Sequence, residues 1–187
     1  MKRRAFISKT SLLVSMAFLP GTIMSFPKLN QVNFDEVFDV IIVGGSYSGL
    51  SAAMALGRSL RKVLIIDNSL PCNRYSSQSH NFITRDGEPP NEIANRAKTQ
   101  VLKYDTVQFH TDKVIEVQQK SIYLRLEQKM GTCFYLLIVD GNQKTNIPGI
   151  YACGDNSAFR SVAVAVSTGN QAGAAINSAL CIEQFNL

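Results

Sequence analysis

Phe38-Asp39-Val40-Ile41-Ile42-Val43-Gly44-Gly45-Ser46-Tyr47-Ser48-Gly49 is the stretch on which the reading of the fold turns. From Phe38 to Val43 only Asp39 interrupts an apolar run, the pattern of a parallel strand buried on both faces. The glycines follow at once, and Leu50 to Leu60 is then alanine-rich and helix-forming. Arg61-Lys62 returns the chain, and Val63-Leu64-Ile65-Ile66 reads as a second buried strand closed by Asp67. Strand, glycine turn, helix and strand in this order open a dinucleotide-binding fold. Gly44 permits the tight turn, and Gly49 lets the helix pack close to the strand. The helix then points its unpaired amides and positive end at a pyrophosphate. Ser46 stands where G-x-G-x-x-G has its central glycine, so phosphates sit slightly farther out or take a hydroxyl bond. Gly45 and Ser48 line the same turn. A glycine pattern alone is a weak signal. Here the strand, the helix and a carboxylate at the next strand end support it, because Asp67 is placed to accept bonds from adenosine ribose hydroxyls.

Outward from this unit, residues 68–90 are polar and irregular, with Pro71, Gly87 and Pro89-Pro90. A loop of that length inside a compact domain is usually functional or disordered. Asn91 to Tyr104 reads as an amphipathic helix, with Ile93, Ala97, Val101 and Tyr104 on one face. Val107 to Phe109, Lys113 to Val117, Ser121 to Leu126 and Thr132 to Val139 read as strands. Ile150 to Cys153 reads as a short buried strand, and Arg160 to Leu180 as a long helix.

A second constellation is Thr145-Asn146-Ile147-Pro148-Gly149-Ile150-Tyr151-Ala152-Cys153-Gly154-Asp155. It resembles the T-x-x-P-G-I-[YF]-A-x-G-D segment of the flavin-dependent pyridine nucleotide-disulfide oxidoreductases. With the first motif, it resembles the thioredoxin-reductase branch, particularly members related to microbial dithiol oxidases. The resemblance covers roughly residues 38–117 and 140–187. It implies an α/β, Rossmann-like FAD-binding domain of three layers (β/β/α), with a central parallel sheet and a small antiparallel meander. It also implies that Gly154 and Asp155 approach the ribitol and phosphate of FAD, and that Asn73, Arg74 and Asn81 face the cofactor. Val114 is expected to offer a backbone contact to adenine. Arg160, Ser161 and Val162 match the family's Arg-Gln-Ala at the start of the last helix, where backbone amides meet the flavin. Ser161 departs from the glutamine. The implied partners are FAD, a dithiol substrate or electron-donor protein, and a second copy in a homodimer.

A larger departure lies between the two blocks. The family interrupts its flavin domain with a whole NADPH domain, which often carries a Cys-x-x-Cys pair. Here the chain runs almost directly from Cys133 to Asp140 and into the second block, with no second glycine motif. Residues 37–187 are therefore expected to form one FAD domain, with an NADPH site doubtful and no redox cysteine pair. Flavin oxidoreductase is the leading function. A catalytically impaired FAD-binding remnant and a single-domain NAD-binding protein of another family are the alternatives.

Composition limits other classes. The chain has 187 residues, 45% hydrophobic and 18% charged, which suits one folded domain. Its formal charge of +5 owes four units to Lys2, Arg3, Arg4 and Lys9, and becomes +1 without residues 1–26, so a nucleic-acid partner is not expected. The basic start, the apolar run Ser11 to Phe18 and Pro20-Gly21 describe an export signal. Arg3-Arg4-Ala5-Phe6-Ile7-Ser8-Lys9 resembles a twin-arginine signal, which implies a periplasmic protein exported already folded, and an ordinary secretory signal or an uncleaved anchor is the alternative. Cys72, Cys133, Cys153 and Cys181 are scattered, with no spacing suited to a metal, and are expected to act as small hydrophobes. His80 is expected in the cofactor loop, and His110 in a structural role.

Overall fold

The computed structural model describes residues 36–119, 122–124, 137–156 and 159–185. The expected export signal at 1–26 and the expected strand residues 132–136 lie outside them. Strands β1 (Val40–Val43), β2 (Val63–Asp67) and β3 (Val107–Thr111) form a parallel sheet in the order β1-β2-β3. The register sets Val40 opposite Val63, and Asp67 opposite Thr111. The core lies where this sheet meets helices α1 (Tyr47–Arg58) and α2 (Pro90–Val101). Leu50, Leu56, Val63, Ile65, Val101 and Val107 are fully buried. Burying each such side chain stabilises the fold by roughly 1.5–3 kcal/mol relative to exposure.

Local signals explain the element ends. Ser46 is extended ahead of α1, and Leu60 adopts φ 58° just after it. The Arg61 amide donates to the Leu56 carbonyl at 3.1 Å, which closes the last turn and returns the chain into β2. Helix α2 starts with Pro90, whose missing amide costs nothing at a first helical position. Glu92 in its first turn and Lys98 in its last complement the helix dipole. The Tyr47 hydroxyl donates to the Pro90 carbonyl at 2.9 Å, tying α1 to α2.

Helix α3 (Val162–Phe185) crosses α1 on small residues. A Cβ on Gly173 would lie 2.7 Å from the Ala52 carbonyl oxygen, and one on Gly169 would overlap the backbone of Ser48. Polar bonds fix the crossing, from Ser51 Oγ to the Val166 carbonyl at 2.7 Å and from Arg61 Nε to Asn177 Oδ1 at 2.8 Å. Among the described residues, no helix is long and apolar enough to cross a membrane.

Four expectations are corrected. Among the described residues β1 stands at the sheet edge, and Ile41 and Val43 are 59% and 51% exposed rather than buried on both faces. The meander is not seen. Among the described residues there is one antiparallel pair, β4 (Val117–Gln119) with β5 (Ile122–Leu124), and Lys113 to Glu116 are not strand. Among the described residues, Ile150 to Cys153 joins no sheet. The Thr145 amide donates to the Ile150 carbonyl and the Ala152 amide to the Gln143 carbonyl, so this segment pairs with the turn before it. Finally, α3 begins at Val162, not Arg160, because the Ser161 hydroxyl accepts from the Val164 amide at 3.1 Å and caps the helix there.

Candidate dinucleotide site

The site is built at the β1–α1 turn. The Gly44 amide still donates to the Ile66 carbonyl at 2.9 Å, so the turn begins only after the sheet register is used up. A Cβ on Gly49 would overlap the Gly44 carbonyl oxygen. Only glycine lets α1 start this close to the strand end. Ser46 makes no capping bond, and no acid stands in the first turn of α1. The positive end of the helix is thus left for an anion from outside, as a pyrophosphate cradle requires.

Asp67 faces that turn from the end of β2. Its Oδ1 accepts from the Gly45 amide at 2.8 Å, and its Oδ2 from the Ser69 amide at 3.0 Å. These bonds orient the carboxylate while each oxygen keeps acceptor capacity for a ribose hydroxyl.

The second motif arrives at the same place. Gly154 sits at φ 78°, and a Cβ there would overlap the Ser48 hydroxyl. Its amide donates to Thr168 Oγ1 at 3.0 Å. Gly154–Asn156 forms a single 3-10 turn, in which Asp155 is exposed and its carbonyl accepts from Arg160 Nε at 3.3 Å. Burial pushes the Cys153 thiol up, and a hydrogen bond with Ser48 partly opposes this. Cys153 is therefore a protonated thiol at neutral pH.

The structure brings Gly44, Gly45, Ser46, Ser48, Gly49 and Asp67 together with Gly154. Asp155, Arg160, Ser161 and Val162 follow directly from Gly154 around the start of α3. Asn73 is tied to this group, with Nδ2 3.4 Å from the Tyr47 hydroxyl of α1. Arg74 instead stacks on Tyr75 and bonds the Pro71 carbonyl. Asn81 adopts φ 60°, with its amide on Asp86 Oδ1 at 2.7 Å. Val114 is half-buried in the connector after β3. The two histidines pair with nearby acids, His80 with Asp86 and His110 with Asp112, each at 3.6 Å.

Three residues escaped the sequence reading. Thr168 accepts from the Gly154 amide out of the expected long helix. Phe109 and Lys98 flank Gly45 and Asp67 from an expected strand and an expected amphipathic helix. One expectation about cysteine is also corrected. Cys72 is disulfide-bonded, whereas Cys153 and Cys181 are free. Spacing rules detect pairs close in sequence, and a bond between distant cysteines leaves no such trace.

No protein-family model matches the chain. It is 31% identical over 136 residues to a protein of Arthroderma benhamiae described as "Probable thioredoxin reductase", which covers 70% of this chain and 33% of that protein. The chain spans about a third of the length of the first curated relatives it matches. Among solved structures, an oxidoreductase from Agrobacterium tumefaciens aligns with a TM-score of 0.66 at 19% identity, covering 78% of this chain and 99% of that one. The thioredoxin reductase of Lactococcus lactis aligns with a TM-score of 0.60 at 12% identity, covering 76% and 98%. The parallel sheet, the glycine turn and these likenesses together show that this chain has a thioredoxin reductase-like FAD/NAD(P)-binding fold.

Proposed function

We propose that this chain holds FAD in one dinucleotide site and acts as a flavin oxidoreductase of the thioredoxin-reductase type, passing electrons between the flavin and a dithiol or disulfide. The observation that carries this reading is the seating of Gly154 on Ser48. Two motifs far apart in sequence meet at the positive end of one helix, and both present backbone rather than bulk. The turn Gly44 to Gly49 would cradle the pyrophosphate, and Asp67 would take the adenosine ribose. Gly154 and Asp155, with the capped start of α3 at Ser161 and Val162, would hold the ribitol side. Asn73, Arg74 and Asn81 lie on the loop that would cover the flavin, and Val114 would meet the adenine. When bound, the flavin supplies the hydride and electron chemistry, while the protein binds and orients it.

A nicotinamide domain has little room in this chain. Asn156 bonds both the amide and the carbonyl of Leu137, so the incoming segment is anchored at the Gly154–Asn156 turn. Only residues 125–136 separate β5 from that anchor, far fewer than the ~50 residues of the smallest ordinary domains. The same observation supports a second reading, an FAD-binding remnant without turnover. Anaerobic mixing of the purified protein with NADPH or with dithiothreitol, followed at the flavin absorbance, separates the two. Oxidoreductase function predicts rapid bleaching by the dithiol and slow, unsaturated bleaching by NADPH. No reduction by either would leave the remnant.

The leader adds a proposal about place. Arg3-Arg4 ahead of a short apolar run supports export through the twin-arginine route, with flavin already bound. The variant R3K/R4K keeps the charge and should abolish export of flavin-loaded protein. Unchanged export would point to an ordinary secretory or anchoring signal.

A further inference from the structure

Lys98 is a half-buried cation with no carboxylate within ion-pair distance among the described residues. Its neighbour on α2, Arg96, is engaged by Glu88 at 2.7 Å and Glu92 at 3.4 Å. The Lys98 ammonium instead lies over the Phe109 ring, 3.2 Å from the centroid. That ring is the wall of the glycine turn, because a Cβ on Gly45 would come within 2.6–2.9 Å of its outer edge and 3.0 Å of Asp67 Cβ. Gly45, Asp67, Phe109 and Lys98 therefore form one cluster beside the carboxyl ends of β2 and β3. Ligands of open α/β sheets bind outside those ends. Burial lowers the Lys98 amine and the charge of Asp67 partly restores it, so this ammonium is desolvated without a full partner. An aromatic face offsets part of that cost, but it satisfies none of the three ammonium donors.

We propose that Lys98 is a further cofactor-binding residue, an ammonium propped on Phe109 to donate to oxygen atoms of the ADP half of the ligand while Asp67 accepts from the ribose hydroxyls. This rests on the FAD reading of the site and extends it. An acceptor and a donor flanking one ribose give the site a preference for ADP-containing ligands. A surface lysine with only a packing role would give none.

The test is calorimetric titration of the full-length apoprotein with FAD and with ADP, at low and high salt, in the parent, K98M and K98R. The methionine keeps most of the apolar stem, and arginine keeps both the charge and the stacking on a ring. K98M should weaken FAD and ADP by the same factor, about fivefold or more, and flatten the salt dependence of both. K98R should stay within about twofold of the parent. If the parent binds both ligands and K98M matches it in affinity and salt dependence, this inference fails alone. A parent that binds neither FAD nor ADP would overturn the proposed function, and this inference with it.

Discussion

At Gly49 the tolerance for change is close to zero, because the atom that a Cβ would meet is the Gly44 backbone oxygen. Backbone cannot swing aside as a side-chain tip can. G49V should therefore lift α1 off β1 and release the cofactor, and the purified variant should be colourless where the parent is yellow. A variant as yellow as its parent would show that the pyrophosphate sits elsewhere. Cys153 gives a pH-dependent expectation. Its pKa is raised by burial, so the folded protein holds the thiol proton more tightly than the unfolded chain does. The stability this contributes is complete below the ordinary thiol range near ~8.5 and is lost as pH rises through the folded value. Between pH 7 and pH 10, urea unfolding should show the parent losing more stability than C153A. Equal losses would mean that this thiol titrates as in an unfolded chain.

At the scale of elements, the α1–α3 crossing carries the site, since α1 presents Ser48 and α3 presents Thr168 to the same glycine. The crossing depends on Gly173 lying against Ala52 and Ala55. G173V should force the helices apart and destabilise the fold by about 1–3 kcal/mol, as overpacking does, and weaken flavin retention with it. Chemical denaturation and flavin absorbance measure the two effects, and wild-type values for both would contradict this account of the crossing. The β1–α1–β2 unit was legible in the sequence because its signals are local. The apolar run, the glycines and the carboxylate follow one another, and β2 ends at Asp67 as expected. Ile150 to Cys153 was misread because an apolar run does not name its partner. Its Ala152 amide and Ile150 carbonyl bond the Gln143–Thr145 turn instead of a sheet edge. Phe109, Lys98 and Thr168 were invisible for a related reason, since each acquires its role only where separate elements converge.

At the scale of the whole molecule, the proposed FAD site draws on both ends of residues 36–185. Holding two reactants together is worth effective molarities of ~10⁵ M or more, which the proposed flavin domain would forgo for hydride transfer from NADPH if it has no nicotinamide seat of its own. A dithiol, a partner protein or a second copy would then have to complete any turnover. The most direct test of the central claim is the stoichiometry and identity of the nucleotide bound by the full chain, measured by equilibrium titration of apoprotein with FAD, NADPH and NAD in parallel. One tightly held FAD per chain is expected, retained through gel filtration with a flavin spectrum, with no saturable NADPH or NAD binding once FAD is in place. Failure to bind FAD, or saturation by NAD or NADPH in its stead, would contradict it.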